Sequence, residues 1–187
     1  MSRRRPLVAL AVSAVASVGG TRLSAIAIPW LVLTTTGSPV LTGVVGLCEM
    51  LPYVVAKALL GPLIDRIGAR AIAIWCDRLS AVAVALIPLL FWTGVMSLPV
   101  LLPMVALLGV LRAPADAAKQ ALVPAVAGMG AVPLERVTGV MGASERLAGT
   151  LGAAGAGALI GLVGPVPALL VNAATFLLSS LVLGFGV

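Results

Sequence analysis

The chain contains no histidine, two cysteines in 187 residues, 4% aromatic residues and only 10% charged ones. Without imidazole there is no histidine acid–base catalysis and no histidine metal ligation. Cys48 and Cys76 each lie inside an apolar run. They do not form the dense pattern of a disulfide-stapled secreted domain, and they read as small buried hydrophobes. Soluble domains carry about 25% charge, so this composition excludes a water-soluble globule and a disordered tail. The net charge of +6 could suggest a nucleic-acid partner. The arginines, however, form no basic face interleaved with aromatics, and that reading is rejected. No cofactor and no metal site is expected.

What fills the chain is apolar: 61% of residues are hydrophobic, and the mean hydropathy is +1.20. The apolar mass is spread from end to end and interrupted by short polar or Gly/Pro stretches. Spans of about 20 residues plus short connections leave room for roughly six helices. The spans expected are 8–34, 40–62, 71–93, 98–122, 136–163 and 167–186. Breaks fall at Gly37-Ser38-Pro39, Gly61-Pro62, Gly94, ahead of Pro124, and at Gly164-Pro165, as glycine and proline predict for helix ends. The fold class is therefore all-α, a polytopic six-span membrane domain. The first apolar run, Leu7 to Leu33, is too long for the core of a secretory signal. It reads as the first span, anchored by Arg3, Arg4 and Arg5.

Charge then orients the bundle. Segments 35–39, 94–98 and 164–166 carry none. The N-terminal tail and the segments near 63–70 and 112–136 carry Arg3–Arg5, Asp65, Arg66, Arg70, Arg112, Asp116, Lys119, Glu135 and Arg136. Basic residues mark the cytoplasmic side, so both termini are expected inside, at the plasma (inner) membrane. The inner segment 123–135 is the midpoint and separates two groups of three helices.

Between the second and third spans stands Gly61-Pro62-Leu63-Ile64-Asp65-Arg66-Ile67-Gly68-Ala69-Arg70. Gly61 permits close helix approach, Asp65 suits a helix N-terminus, and Arg66 and Arg70 suit a carboxylate or helix-end carbonyls. Asp116 is the acceptor expected for one of them. This segment resembles the signature loop of major facilitator superfamily transporters, matching at Gly61, Leu63, Asp65, Arg66, Gly68 and Arg70 and departing at Ile64 and Ala69. Gly37-Ser38-Pro39, Leu51-Pro52-Tyr53, Gln120-Ala121-Leu122-Val123-Pro124 and Asn172-Ala173-Ala174-Thr175-Phe176 look like the macrolide-efflux and enterobactin-exporter branch. The resemblance runs nearly end to end, over that family's N-terminal six-helix half. It implies export of a small amphipathic compound (drug, macrolide or siderophore-like) by alternating access, with no enzymatic step.

Span five carries a ladder four residues apart, Gly149, Ala153, Gly157 and Gly161, of the kind that lets helix backbones approach. Part of it, Gly152 to Gly157, resembles an antiporter signature with Ala153 and Ala156 replacing its proline and one glycine. A mechanistic bend and a plain tight interface both stay open.

Ionisable residues within spans are costly and mark cavities or partners. Arg22 on span one and Glu49 on span two have opposite charge and similar depth, and are expected to meet near a central cavity. Lys57 is expected to snorkel to the headgroups. Asp77-Arg78 and Glu145-Arg146 are adjacent pairs, which cannot face each other on a helix. Each must find partners on other helices. No arginine is read in the middle of span four. The alternatives are the membrane domain of an ATP-driven transporter with a partner ATPase, or a non-transporting membrane fragment. Expected partners are the bilayer, a small-molecule substrate, and a second six-helix half or a second copy. The chain alone is expected not to transport.

Overall fold

The computed structural model describes residues 5–187; Arg3 and Arg4 of the expected anchor lie outside the described residues. The elements are α1 (Arg5–Thr36), α2 (Pro39–Leu59), α3 (Gly61–Ile67), α4 (Ala69–Trp92), α5 (Leu98–Ala121), α6 (Val123–Gly130), α7 (Leu134–Val163) and α8 (Pro165–Gly186). Six are long and apolar enough to cross a bilayer, α5 and α6 counting as one span. At about 1.5 Å per residue, 32-residue α1 extends about 48 Å, beyond a hydrocarbon core of about 30 Å.

Local chemistry sets the breaks. After Thr36 the chain turns at Gly37, and Ser38 caps α2 by accepting the Leu41 backbone N–H at 3.3 Å. Pro39 follows at the first helical position, where its missing N–H costs nothing. Prolines inside the spans, among them Pro114 in α5, do not end them.

Two segments read as loops contain helix. Residues 61–67 of the signature segment form α3, which ends at Gly68 with φ +97°. That backbone region is open chiefly to glycine. The expected inner connection 123–135 holds α6, packed on α1 and α7.

The helices interleave. α1 packs on α7 and α8, while α5 packs on α2 and α4. Spans from each half of the sequence are thus inserted between spans of the other, and the two groups of three are consecutive in sequence without being separate bodies. Two apolar clusters result. One joins Leu23, Ile28, Leu31, Val84, Ile87, Leu108 and Phe176. The other joins Leu10, Ala14, Ile64, Ala73, Ala118 and Leu183. Along α1, α4, α5 and α8 a buried polar belt lies between them: Ser17, Ser24, Asp77, Ser80, Arg112, Lys119, Asn172 and Ser179. Such groups need partners in the dry interior. The interleaving supplies them from other helices for Ser17, Ser24, Asp77, Arg112, Lys119 and Ser179, whereas Ser80 Oγ and Asn172 Nδ2 have none among the described residues. α2 and α7 bury little of themselves and carry large exposed apolar side chains such as Leu47, Met50, Leu51, Leu147, Leu151 and Leu162.

Candidate functional site

α5 sets the site. Arg112, Asp116 and Lys119 are spaced four and three residues apart, so they share one helix face. Arg112 and Lys119 are each 3% exposed. Arg112 lies within α5, which corrects its placement in an inner loop and the expectation that span four holds no arginine.

Each α5 cation holds a carboxylate from a neighbouring helix. Arg112 pairs with Glu49 of α2 and also donates to Ser24 Oγ of α1. Its guanidinium carbon lies 5.7 Å from the centre of the Phe176 ring, a cation–π arrangement. Gly109, one turn earlier on α5, makes the Glu49 contact possible. A Cβ there would collide with the Glu49 backbone carbonyl, so only glycine lets α2 come this close. The expected Arg22–Glu49 pair is therefore replaced by Arg112–Glu49. Arg22 lines the same cavity without an ion pair among the described residues.

Lower on α5, Lys119 Nζ sits 2.8 Å from Asp77 Oδ2 of α4. The same carboxylate accepts from Ser17 of α1 and Ser179 of α8, so four helices meet at one buried acid. Arg78 points away, exposed, its guanidinium 5.5 Å from the Trp75 ring centre. Asp77 thus has its own cation from α5, and not from the Glu145-Arg146 pair. Asp116 accepts the Tyr53 hydroxyl at 3.3 Å. It takes no bond from the signature loop, which corrects the partnership expected there. Arg70 instead donates to the Gly184 carbonyl at 2.6 Å, tying the start of α4 to α8. Asp65 and Arg66 are exposed and make no ion pair among the described residues. Lys57 is exposed and reaches the Tyr53 hydroxyl at 3.5 Å.

The Gly149–Gly161 ladder does not form the close backbone approach to α1. Gly149 meets only the Arg22 side chain, and Gly157 and Gly161 face open space. The close approach is at Gly152, where an added Cβ would lie 3.1 Å from Gly19 Cα of α1. The ladder runs along a neighbouring, mostly exposed face.

These elements enclose a cavity of about 530 Å³ between α1, α2 and α5, lined by Val18, Thr21, Arg22, Ala25, Pro29, Gly46, Glu49, Met50, Tyr53, Arg112 and Asp116. Its size and mixed wall are those of a small-molecule site, largely apolar with a few placed polar groups. Tyr53 and Asp116 also wall a smaller recess of about 190 Å³ with Lys57, Lys119 and Glu145. A third recess, of about 520 Å³, adjoins Arg22, Glu145 and Arg146.

The model of the Major Facilitator Superfamily matches residues 10–187. Among curated proteins, the multidrug efflux pump Tap of Mycobacterium tuberculosis (strain ATCC 25618 / H37Rv) is 32% identical over 187 residues, covering 96% of this chain and 44% of the relative. The Mycolicibacterium fortuitum multidrug efflux pump Tap is 30% identical over 184 residues, with 96% and 45% covered. The chain therefore spans less than half the length of these relatives. No solved structure matches.

Proposed function

The chain belongs to the major facilitator superfamily, and from that premise we propose that it is the N-terminal six-helix half of a carrier that exports small amphipathic compounds by alternating access. The observation that carries the reading is the cavity between α1, α2 and α5, with its buried Glu49–Arg112 pair set in an apolar wall. An amphipathic solute fits such a wall, burying its apolar body against Met50, Pro29 and Val18 while its polar groups meet the charged side. The exposed apolar faces of α2 and α7 suit a second six-helix half closing over the cavity. The protein acts as a carrier and not an enzyme. The relatives' names, multidrug efflux pumps, support the export direction and a broad substrate range.

Proteoliposomes containing the chain with a matching second half are expected to move the amphipathic dye 1-anilinonaphthalene-8-sulfonate when an ion gradient is imposed. Glu49→Gln is expected to lower the rate at least about tenfold. Transport unchanged by Glu49→Gln would overturn the assignment of this cavity as the transport site.

The orientation proposed is both termini cytoplasmic, in the plasma membrane, with the Arg66/Arg70 end inside. The basis is the contrast between that end and the charge-free turns at Gly37 and Gly94. In a chain with Cys48 and Cys76 replaced by alanine, Thr93→Cys is expected to react with a membrane-impermeant maleimide in intact cells. Arg66→Cys is expected to react only after permeabilisation. The reverse pattern would invert the topology.

A further inference from the structure

Among the described residues, Arg22 is the one charged group on the cavity wall that has neither an ion pair nor a hydrogen-bond partner. Glu49 and Arg112 hold each other, and Asp116 accepts the Tyr53 hydroxyl. Arg22 makes no hydrogen bond or ion pair among the described residues, although it lines both the large cavity and the recess beside it. Glu145 shares that recess but lies beyond ion-pair distance of Arg22.

Position makes this cation unusual. Arg22 is 17 residues from the start of α1 and 14 from its end. At about 1.5 Å per residue, these are roughly 26 Å and 21 Å of helix. An arginine stem cannot reach either headgroup region from there, so snorkelling does not explain it. Its guanidinium fork lies against Gly149 of α7, with its Nε 3.7 Å from where a Cβ would stand. Glycine at that point leaves the fork room along the cavity rim.

We propose that Arg22 is the specificity-determining contact of the cavity, taking the anionic group (a carboxylate, sulfonate or ionised enol) of an amphipathic substrate whose apolar body lies on the α2 wall. The inference rests on reading this cavity as the substrate site. A guanidinium offers paired donors that match a two-oxygen anion, and such charge-assisted contacts outweigh the water they replace. Arg112 cannot serve instead, because it is 3% exposed and its charge is already paired with Glu49.

The test uses a matched dye pair: 1-anilinonaphthalene-8-sulfonate, and N-phenyl-1-naphthylamine, which lacks the sulfonate. Both are titrated onto the full chain in phosphatidylcholine nanodiscs, with empty nanodiscs subtracted. Arg22→Gln is expected to weaken the sulfonate about tenfold, or about 1.4 kcal/mol, and to leave the uncharged dye within about twofold. Arg22→Lys keeps the charge and is expected to retain most sulfonate binding. Gly46→Trp, at a lining position where an added Cβ meets open space, is expected to displace both dyes. Equal loss of both dyes in Arg22→Gln, or no loss of the sulfonate, would overturn the role of Arg22. Saturable binding that Gly46→Trp leaves untouched would overturn the cavity reading itself, and this proposal with it.

Discussion

Arg112→Ala is expected to destabilise the bundle by roughly 3 kcal/mol, the cost of stranding one buried charge. The carboxylate it leaves behind, Glu49, has a side chain 13% exposed and sits on α2 where that helix is pressed against Gly109 of α5. It cannot move away, because the contact that places it is backbone against backbone. The Arg112 side chain also bonds Ser24 of α1 and covers Phe176 of α8, so its loss loosens four helices at one level. If the pair is a mutual neutralisation, removing both charges costs far less than removing one. Glu49→Gln combined with Arg112→Met is therefore expected to recover all but about 1 kcal/mol. Unfolding in mixed micelles with increasing SDS, followed by far-UV circular dichroism, measures the cycle. Additive single effects would mean that the two side chains do not sense each other. A double variant that is stable yet fails to transport would assign the pair to the transport cycle, beyond holding the helices together.

The spans were readable in the sequence because a membrane helix is written in composition: a long apolar run ended by glycine and proline. Helix partners were less readable, for a geometric reason. A sequence gives each residue's depth along its helix, but not the azimuth of that helix or the identity of its neighbour. Arg22 and Glu49 share depth and cavity, yet α5 enters between α2 and α4 and brings Arg112 to Glu49 first. The same limit applies to the small-residue stripe. Gly149 to Gly161 and the Gly152 contact run along adjacent faces of α7, and only the rotation of α7 against α1 selects between them. Arg112, Asp116 and Lys119 keep helical spacing straight through Pro114, a pattern that a loop has no reason to hold.

The second pair on α5 should respond asymmetrically. Lys119→Met is expected to cost roughly 3 kcal/mol, because Asp77 is 1% exposed and its remaining partners, Ser17 and Ser179, are hydroxyls that bring no charge. Asp77→Asn is expected to cost about half as much. The amide keeps the shape and the serine bonds, and the freed Lys119 ammonium opens onto the recess that also holds Asp116 and Glu145. A cation with two carboxylates within the same recess can turn to them, whereas a carboxylate enclosed by α1, α4, α5 and α8 has no second cation. Arg78, its sequence neighbour, points to the outer face beside Trp75. The same SDS unfolding series measures both variants. Equal losses would mean that the recess gives Lys119 no alternative partner. A larger loss for Asp77→Asn would mean that the serine bonds, and not the charge, hold the four helices together at this level.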